Sequence, residues 1–201
     1  SYDQIYDEHV FIFSLISIQN ICKKYNLEVF DIKKLDTAGG SMRYYIAKKG
    51  KKTISNNVRE IQNYESKLFE SNKVFDKFRD DCLNSKKSLN NLLNKLSKEK
   101  SIVGYGATSK STTIFNFCEI GEHQIKFLTD TTSTKINKFT PGTHIPIYSY
   151  EYFKENIPDY CFLLAWNHSK EIFEKEKNNF SVKGQWITHI PEAKIINGNN
   201  F

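Results

Sequence analysis

The sequence predicts an α/β protein in which a mostly parallel sheet is flanked by helices, and three patterns support this prediction. From Ser101 onwards, short apolar runs alternate with amphipathic segments, as strands and helices do in a parallel sheet with right-handed crossovers. A helical pattern covers residues 58–98, and residues 11–47 indicate a helix followed by two strands. Of the 201 residues, 39% are hydrophobic, which is enough for one full domain and part of another.

The N-terminal pattern predicts a helix over residues 11–25 and a half-buried strand over residues 27–32, where apolar and polar side chains alternate. Gly39 and Gly40 then turn the chain into a second strand, residues 42–47. This order is typical of the closing end of a larger α/β sheet. We therefore expect the earlier strands of that sheet to precede this chain.

The helical stretch carries a seven-residue apolar repeat with two interpretations. The repeat consists of Ile61, Leu68, Phe75, Cys82, Leu89 and Leu96. One interpretation is a dimeric coiled coil, and the other is a pair of helices that pack on a neighbouring sheet and separate near Ser71 and Asn72. Phe75 and Phe78 favour the packed pair, because tight two-stranded seams prefer aliphatic side chains.

The C-terminal half supplies the parallel sheet. Its predicted strands are residues 102–106, 125–130, 160–166 and 185–190, and its predicted helices are residues 109–119, 150–156 and 169–180. Pro191 ends the last strand because proline cannot donate a ladder hydrogen bond. Ligands of open parallel sheets bind beyond the carboxyl ends of the strands, so residues that follow these strands are candidate binding residues.

Composition argues against several classes of protein. The net charge is +6 and the pI about 9.0, but the lysines are spread along helical faces, which favours a solvated surface over nucleic-acid binding. The four cysteines form no CxxC pair, which argues against a structural zinc site and a disulfide framework. No apolar run approaches the roughly 20 residues of a transmembrane helix, so we expect no membrane partner and a cytoplasmic location.

Three groups of residues could carry chemistry, and the first two lie near residue 8 and in a glycine turn. Tyr6, Glu8 and His9 bring a phenol, a carboxylate and an imidazole into four residues, which could act in proton transfer or form an ordinary surface loop. The glycine turn Gly104–Ser111 suits an anion at a helix N-terminus, with Lys110 nearby. It matches neither the dinucleotide pattern nor the P-loop pattern, because Ser109 stands where each has a glycine, and a plain tight turn is the alternative.

A third group follows the other predicted strands. It includes Asp130, where dinucleotide-binding domains carry a ribose-binding acid, then Lys135 and residues 141–146, and finally Asn167. An ordinary turn at Pro141 and a helix N-cap at Asn167 are the alternatives. The remaining histidines share no metal-ligand spacing and are predicted to be structural: His123, His144, His168 and His189.

Together these strings resemble the sugar C-methyltransferase family, S-adenosylmethionine-dependent enzymes of nucleotide-linked keto sugars. The resemblance rests, in the family's order, on Tyr6–His9, Gly39–Arg43, Gly104–Lys110, Thr129–Asp130, Lys135, Thr140–Ile147, Leu164–Asn167 and Glu171–Ile172. It implies that residues 1–52 close a class I methyltransferase core, residues 53–99 form a helical connector, and residues 100–201 form a Rossmann-like C-terminal domain.

The resemblance also implies individual roles. His9 would be the base that removes a proton next to the ketone, Glu8 would orient it, and Tyr6 would contact the sugar or the developing oxyanion. The residues expected in the substrate pocket are Arg43, Tyr105, Gly106, Thr108, Lys110, Asp130, Lys135 and Asn167. The segment that binds S-adenosylmethionine, and the zinc ligands, would lie in N-terminal modules outside this chain. The chain alone should then be inactive, with those modules and the nucleotide-linked sugar as its partners.

Two other functions remain open. The chain could be a non-catalytic nucleotide-sugar-binding or assembly domain that works with a partner. It could also be an NAD-dependent oxidoreductase domain, which would need the third glycine that Ser109 replaces. Methyl transfer together with nucleotide-sugar binding by the complete protein would favour the enzyme over both.

Overall fold

The computed structural model describes residues 2–197 and divides the chain into two compact units. The N-terminal unit is Val10–Asp80. The C-terminal unit combines residues 81–197 with residues 2–9 from the start of the chain. Residues 2–9 group with the C-terminal unit, and the division near residue 80 falls within a helix. The expected bounds at residues 52 and 99 stay predictions.

The N-terminal unit is built on an antiparallel strand pair. Its elements are α1 (Leu15–Lys24), β1 (Leu27–Leu35), β2 (Ser41–Lys48), α2 (Asn56–Leu68) and the start of α3 (Lys73–Leu96). The helix predicted from Phe11 begins later, because Ser14 caps it by accepting the Ser17 N–H. The Glu65 carboxylate of α2 accepts the N–H groups of Leu15 and Ile16, which would otherwise be unsatisfied at the start of α1.

The helical stretch consists of two helices, as the packed-pair interpretation predicts. Helices α2 and α3 are separated at residues 69–72. On α3, Leu89 and Leu93 are fully buried in the core of the C-terminal unit, whereas Phe75 and Phe78 are exposed. The apolar residues in the second half of α3 are therefore buried against the core of this same chain.

The C-terminal unit contains a six-stranded sheet in the order β5-β4-β3-β6-β7-β8. Its elements are β3 (Ile102–Tyr105), α4 (Ser109–Cys118), β4 (Leu128–Thr129), β5 (Ile147–Tyr148), α5 (Tyr150–Glu155), β6 (Tyr160–Leu163), α6 (Ser169–Glu176), α7 (Phe180–Lys183), β7 (Gln185–Thr188) and β8 (Lys194–Ile196). All neighbours are parallel except β7 and β8. The predicted Rossmann-like fold is confirmed.

The strand order places a topological switch point between β3 and β6. From β3 the chain proceeds outward to β4 and β5, and then crosses back to β6 and β7 on the other side. Ligands of such sheets bind beyond the carboxyl ends of the strands at the switch point. Within residues 2–197, no helix is long and apolar enough to cross a membrane.

Replacing Leu89 by alanine should lower the free energy of unfolding of the C-terminal unit by about 2–5 kcal/mol, because it deletes a fully buried side chain. Leu83 lies on the same helix and is 51% exposed, so Leu83→Ala is the matched control. That control should cost less than about 1 kcal/mol. Chemical denaturation of both variants checks this, and equal losses would contradict the packed position of α3.

Candidate functional site

A buried carboxylate fixes the first residues of the chain to the C-terminal unit. Asp3 is fully buried, and its Oδ2 accepts hydrogen bonds from Trp166 Nε1 at 2.6 Å and from His189 Nε2 at 3.1 Å. The neighbouring Tyr2 hydroxyl lies 3.2 Å from Ser85 Oγ. The start of the chain is therefore held by side chains from distant parts of the sequence.

Lys110 belongs to the same cluster. Its Nζ lies 4.3 Å from the centroid of the Trp166 ring and 3.4 Å from Asn167 Oδ1, and the residue is only 7% exposed. Burial lowers the pKa of Lys110, and the Asp3 carboxylate acts in the opposite direction. Helix α6 begins after His168, so an N-cap role for Asn167 is wrong, and its side-chain oxygen accepts from Lys110 instead.

The predicted catalytic residues follow this anchored turn directly. His9 Nδ1 lies 2.8 Å from the backbone oxygen of Gln4. A carbonyl oxygen only accepts hydrogen bonds, so Nδ1 must carry a proton, and a neutral His9 then has its lone pair on Nε2. The Tyr6 and His9 rings lie against each other, with centroids 4.0 Å apart and planes 30° apart. The pair presents an imidazole nitrogen suited to accept a proton.

The hydrogen-bond partner of the His9 ring is a backbone carbonyl. The hydrogen bond to the His9 ring comes from the Gln4 carbonyl, whereas Glu8 is an exposed side chain. A second contact steadies the segment, because Thr113 Oγ1 on α4 donates to the Ile5 carbonyl at 2.8 Å. Backbone carbonyls of residues 4 and 5 therefore hold this segment, and the orienting role of Glu8 stays a prediction.

The glycine turn between β3 and α4 is closed by its own neighbours. Thr108 caps α4 by accepting the Ser111 N–H, and Gly106 has a φ of 95°, which favours glycine. Asp130 lies at the end of β4, as predicted, but its two oxygens accept the N–H groups of Ala107 and Thr132 at 2.8 Å each. This acid therefore holds the turn in shape.

Lys135 supports the same turn from the other side. Its Nζ donates to the Ala107 carbonyl at 2.8 Å and lies 3.8 Å from Asp130 Oδ2. The two predicted binding residues thus meet at the turn, and both are engaged with it. Their roles toward a substrate stay predictions.

A cavity of about 280 Å³ opens at the switch point, where β3, β4 and β6 end. Four of the predicted substrate-binding residues line it: Tyr105, Gly106, Thr108 and Asp130. Thr108 and Lys135 also line a second cavity of about 260 Å³ on the other side of the turn. Lys110 and Asn167 line neither of these two cavities and instead contact Trp166 and each other.

The phenol of Tyr105 is hydrogen-bonded to a buried acid, Glu176, which no sequence pattern indicated. Its hydroxyl donates to Glu176 Oε1 at 2.8 Å, and Glu176 is fully buried. Burial and this hydrogen bond raise the pKa of Tyr105, and burial with the same carboxylate raises the pKa of Tyr150. Glu176 Oε2 has no hydrogen-bond partner among the described residues. Tyr105 therefore forms a fixed wall of the cavity.

Arg43 is the one predicted binding residue in the other unit. It is an exposed side chain on β2, opposite Lys33 in the strand pair. Its role in the substrate pocket stays a prediction. Among residues 2–197, no group of three or more His, Cys, Asp or Glu side chains could hold a metal ion.

Comparison with known proteins gives two findings. Residues 36–191 match the family described as "C-methyltransferase C-terminal domain". The chain is also 31% identical over 198 residues to the C-methyltransferase NovU of Streptomyces niveus, an alignment that covers 97% of this chain and 47% of NovU. The chain thus spans about half the length of this curated relative.

Tyr105→Phe should lower the free energy of unfolding by about 1–3 kcal/mol, because it takes a buried hydrogen-bond donor from the Glu176 carboxylate. Tyr152→Phe is the matched control, since the Tyr152 side chain is 40% exposed. Thermal unfolding of both variants checks the difference. Identical unfolding temperatures for the two variants would show that the Tyr105 hydroxyl contributes nothing.

Proposed function

We propose that the complete protein methylates a carbon of a nucleotide-linked keto sugar. The proposal starts from the family, because this chain belongs to the family of C-methyltransferase C-terminal domains. The observation that supports this reaction best is the state of His9. With Nδ1 bound to the Gln4 carbonyl, the unprotonated Nε2 is available to a substrate. An exposed imidazole near a phenol suits proton abstraction next to a ketone.

In the proposed reaction, His9 Nε2 takes the proton from the carbon beside the ketone. The electron pair of the broken C–H bond moves into the carbonyl group and gives an enolate. That carbon would then form its new bond to the methyl group of a sulfonium donor as the C–S bond of that methyl breaks, which leaves a neutral thioether as the leaving group. His9 remains as an imidazolium that must lose its proton before the next turnover. Tyr6, which lies against His9, would donate a hydrogen bond to the developing oxyanion.

S-adenosylmethionine would supply the electrophilic methyl group. In the glycine turn of the C-terminal unit, the Asp130 carboxylate that would hold the ribose of a dinucleotide cofactor is already bound by the N–H groups of Ala107 and Thr132. The same geometry argues against an NAD-dependent oxidoreductase. We assign the binding of S-adenosylmethionine to modules outside this chain.

The cavity at the switch point would receive part of the nucleotide-linked sugar. Support comes from its position beyond the strand ends and from the small residues Gly106 and Thr108 on its wall. The first turn of α4 adds backbone N–H groups that favour an anion such as a diphosphate. Lys110 would act on that anion through its charge from a buried position.

In the complete enzyme, His9→Asn should lower turnover about a hundredfold or more, because a general base acts in the transition state. The affinity for the nucleotide-linked sugar should stay nearly unchanged. His123→Asn, which alters an exposed histidine of the same unit, is the matched control and should keep wild-type turnover. Steady-state rates and substrate titrations measure both effects.

Near-normal turnover of His9→Asn would remove His9 from the mechanism and make Tyr6 the candidate base. A wild-type protein that binds the nucleotide-linked sugar tightly, yet transfers no methyl group in the presence of S-adenosylmethionine, would instead favour a non-catalytic binding domain.

A further inference from the structure

We propose that Asp3 is a positioning residue for catalysis, which fixes the Tyr6–His9 segment in its active geometry from a fully buried site. The inference rests on the proposed function, because it concerns the base of that reaction. Asp3 itself does not reach the substrate, since none of its surface is exposed. It acts through the backbone that follows it.

The path from Asp3 to the base is short and continuous. Gln4, the next residue, provides the carbonyl that binds His9 Nδ1 and so determines which nitrogen of His9 is free. Ile5 is held by Thr113 of α4, and the His9 N–H donates to the Tyr6 carbonyl at 2.8 Å. A shift of the Asp3 backbone would therefore move the acceptor that sets the His9 tautomer.

The fixation of Asp3 is strong because a buried carboxylate must keep its donors. Leaving it unpaired would carry the full cost of its desolvation. Trp166 and His189 supply two N–H donors, and Lys110 supplies an opposite charge close by. Hydrogen bonds are directional, so the carboxylate must lie where these N–H groups point. It therefore fixes the position of the segment more sharply than an apolar side chain would.

His189 contributes to this cluster through one of its two ring nitrogens. Its Nε2 faces the carboxylate, while its Nδ1 is buried without a hydrogen-bond partner among the described residues. A carboxylate oxygen only accepts hydrogen bonds, so Nε2 carries the proton that His189 donates to Asp3.

The test is Asp3→Asn in the complete enzyme, with Glu192→Gln as the control. Asparagine keeps the shape but loses the charge and one acceptor oxygen. Glu192 is an exposed carboxylate close to His189 in sequence, and its replacement should leave the rate unchanged. We expect Asp3→Asn to lower kcat about tenfold or more, while KM for the nucleotide-linked sugar changes less than about twofold.

A double-mutant cycle with His9→Asn separates positioning from a general loss of structure. If Asp3 acts through His9, then Asp3→Asn should have almost no further effect on the residual rate of His9→Asn. An equal fractional loss in both backgrounds would overturn the proposal. Trp166→Phe keeps a six-membered aromatic ring but removes the N–H donor together with the five-membered part of the indole, so it should also lower the rate, with the same dependence on His9.

Hydrogen exchange distinguishes failure of this proposal from failure of the proposed function, because it needs no activity. In the chain itself, Asp3→Asn and Trp166→Phe should speed exchange of the His9 amide about tenfold or more, while amides of β3 keep wild-type rates. Unchanged exchange of the His9 amide in both variants would overturn the positioning role. Exchange could respond as expected while neither the wild-type enzyme nor any variant methylates a keto sugar. That outcome would support the positioning of the segment by Asp3 and contradict the proposed reaction.

Discussion

The pairing of the buried Asp3 carboxylate is the constraint on which the candidate site depends. A carboxylate that leaves water must find donors, and a nearby positive charge lowers the cost further. Asp3 meets this requirement with Trp166, His189 and Lys110, which lie in the segment after β6, just after β7 and at the start of α4. The carboxyl edge of the sheet and the first residues of the chain are thereby joined by one set of hydrogen bonds.

This constraint explains why the proposed catalytic segment belongs to the C-terminal unit although it precedes the N-terminal unit in sequence. Residues 2–9 pack on α4 and the sheet edge, and the chain then enters the other unit at Val10. His9 and the cavity at the switch point are therefore parts of one compact body. In the proposed reaction, that body holds both the nucleotide-linked sugar and the group that deprotonates it.

Periodicity and turn chemistry were sufficient to predict the fold, and the site was predicted only in part. The order of strands and helices, the break between α2 and α3 and the glycine turn all have local signals, whereas the short β5 and β8 strands do not. Asp3 pairs with residues 163 and 186 positions away, so no spacing could reveal the cluster. The Gln4 carbonyl was missed because every residue has one, and only the folded backbone shows which carbonyl meets His9.

The most direct test of this account is a nitrogen-15 NMR measurement of the His9 imidazole in the chain, at a pH where the ring is neutral. The proton should reside on Nδ1, because that nitrogen donates to the Gln4 carbonyl. A spectrum showing the proton on Nε2 would contradict it, since His9 would then have no free nitrogen directed away from the segment that Asp3 anchors.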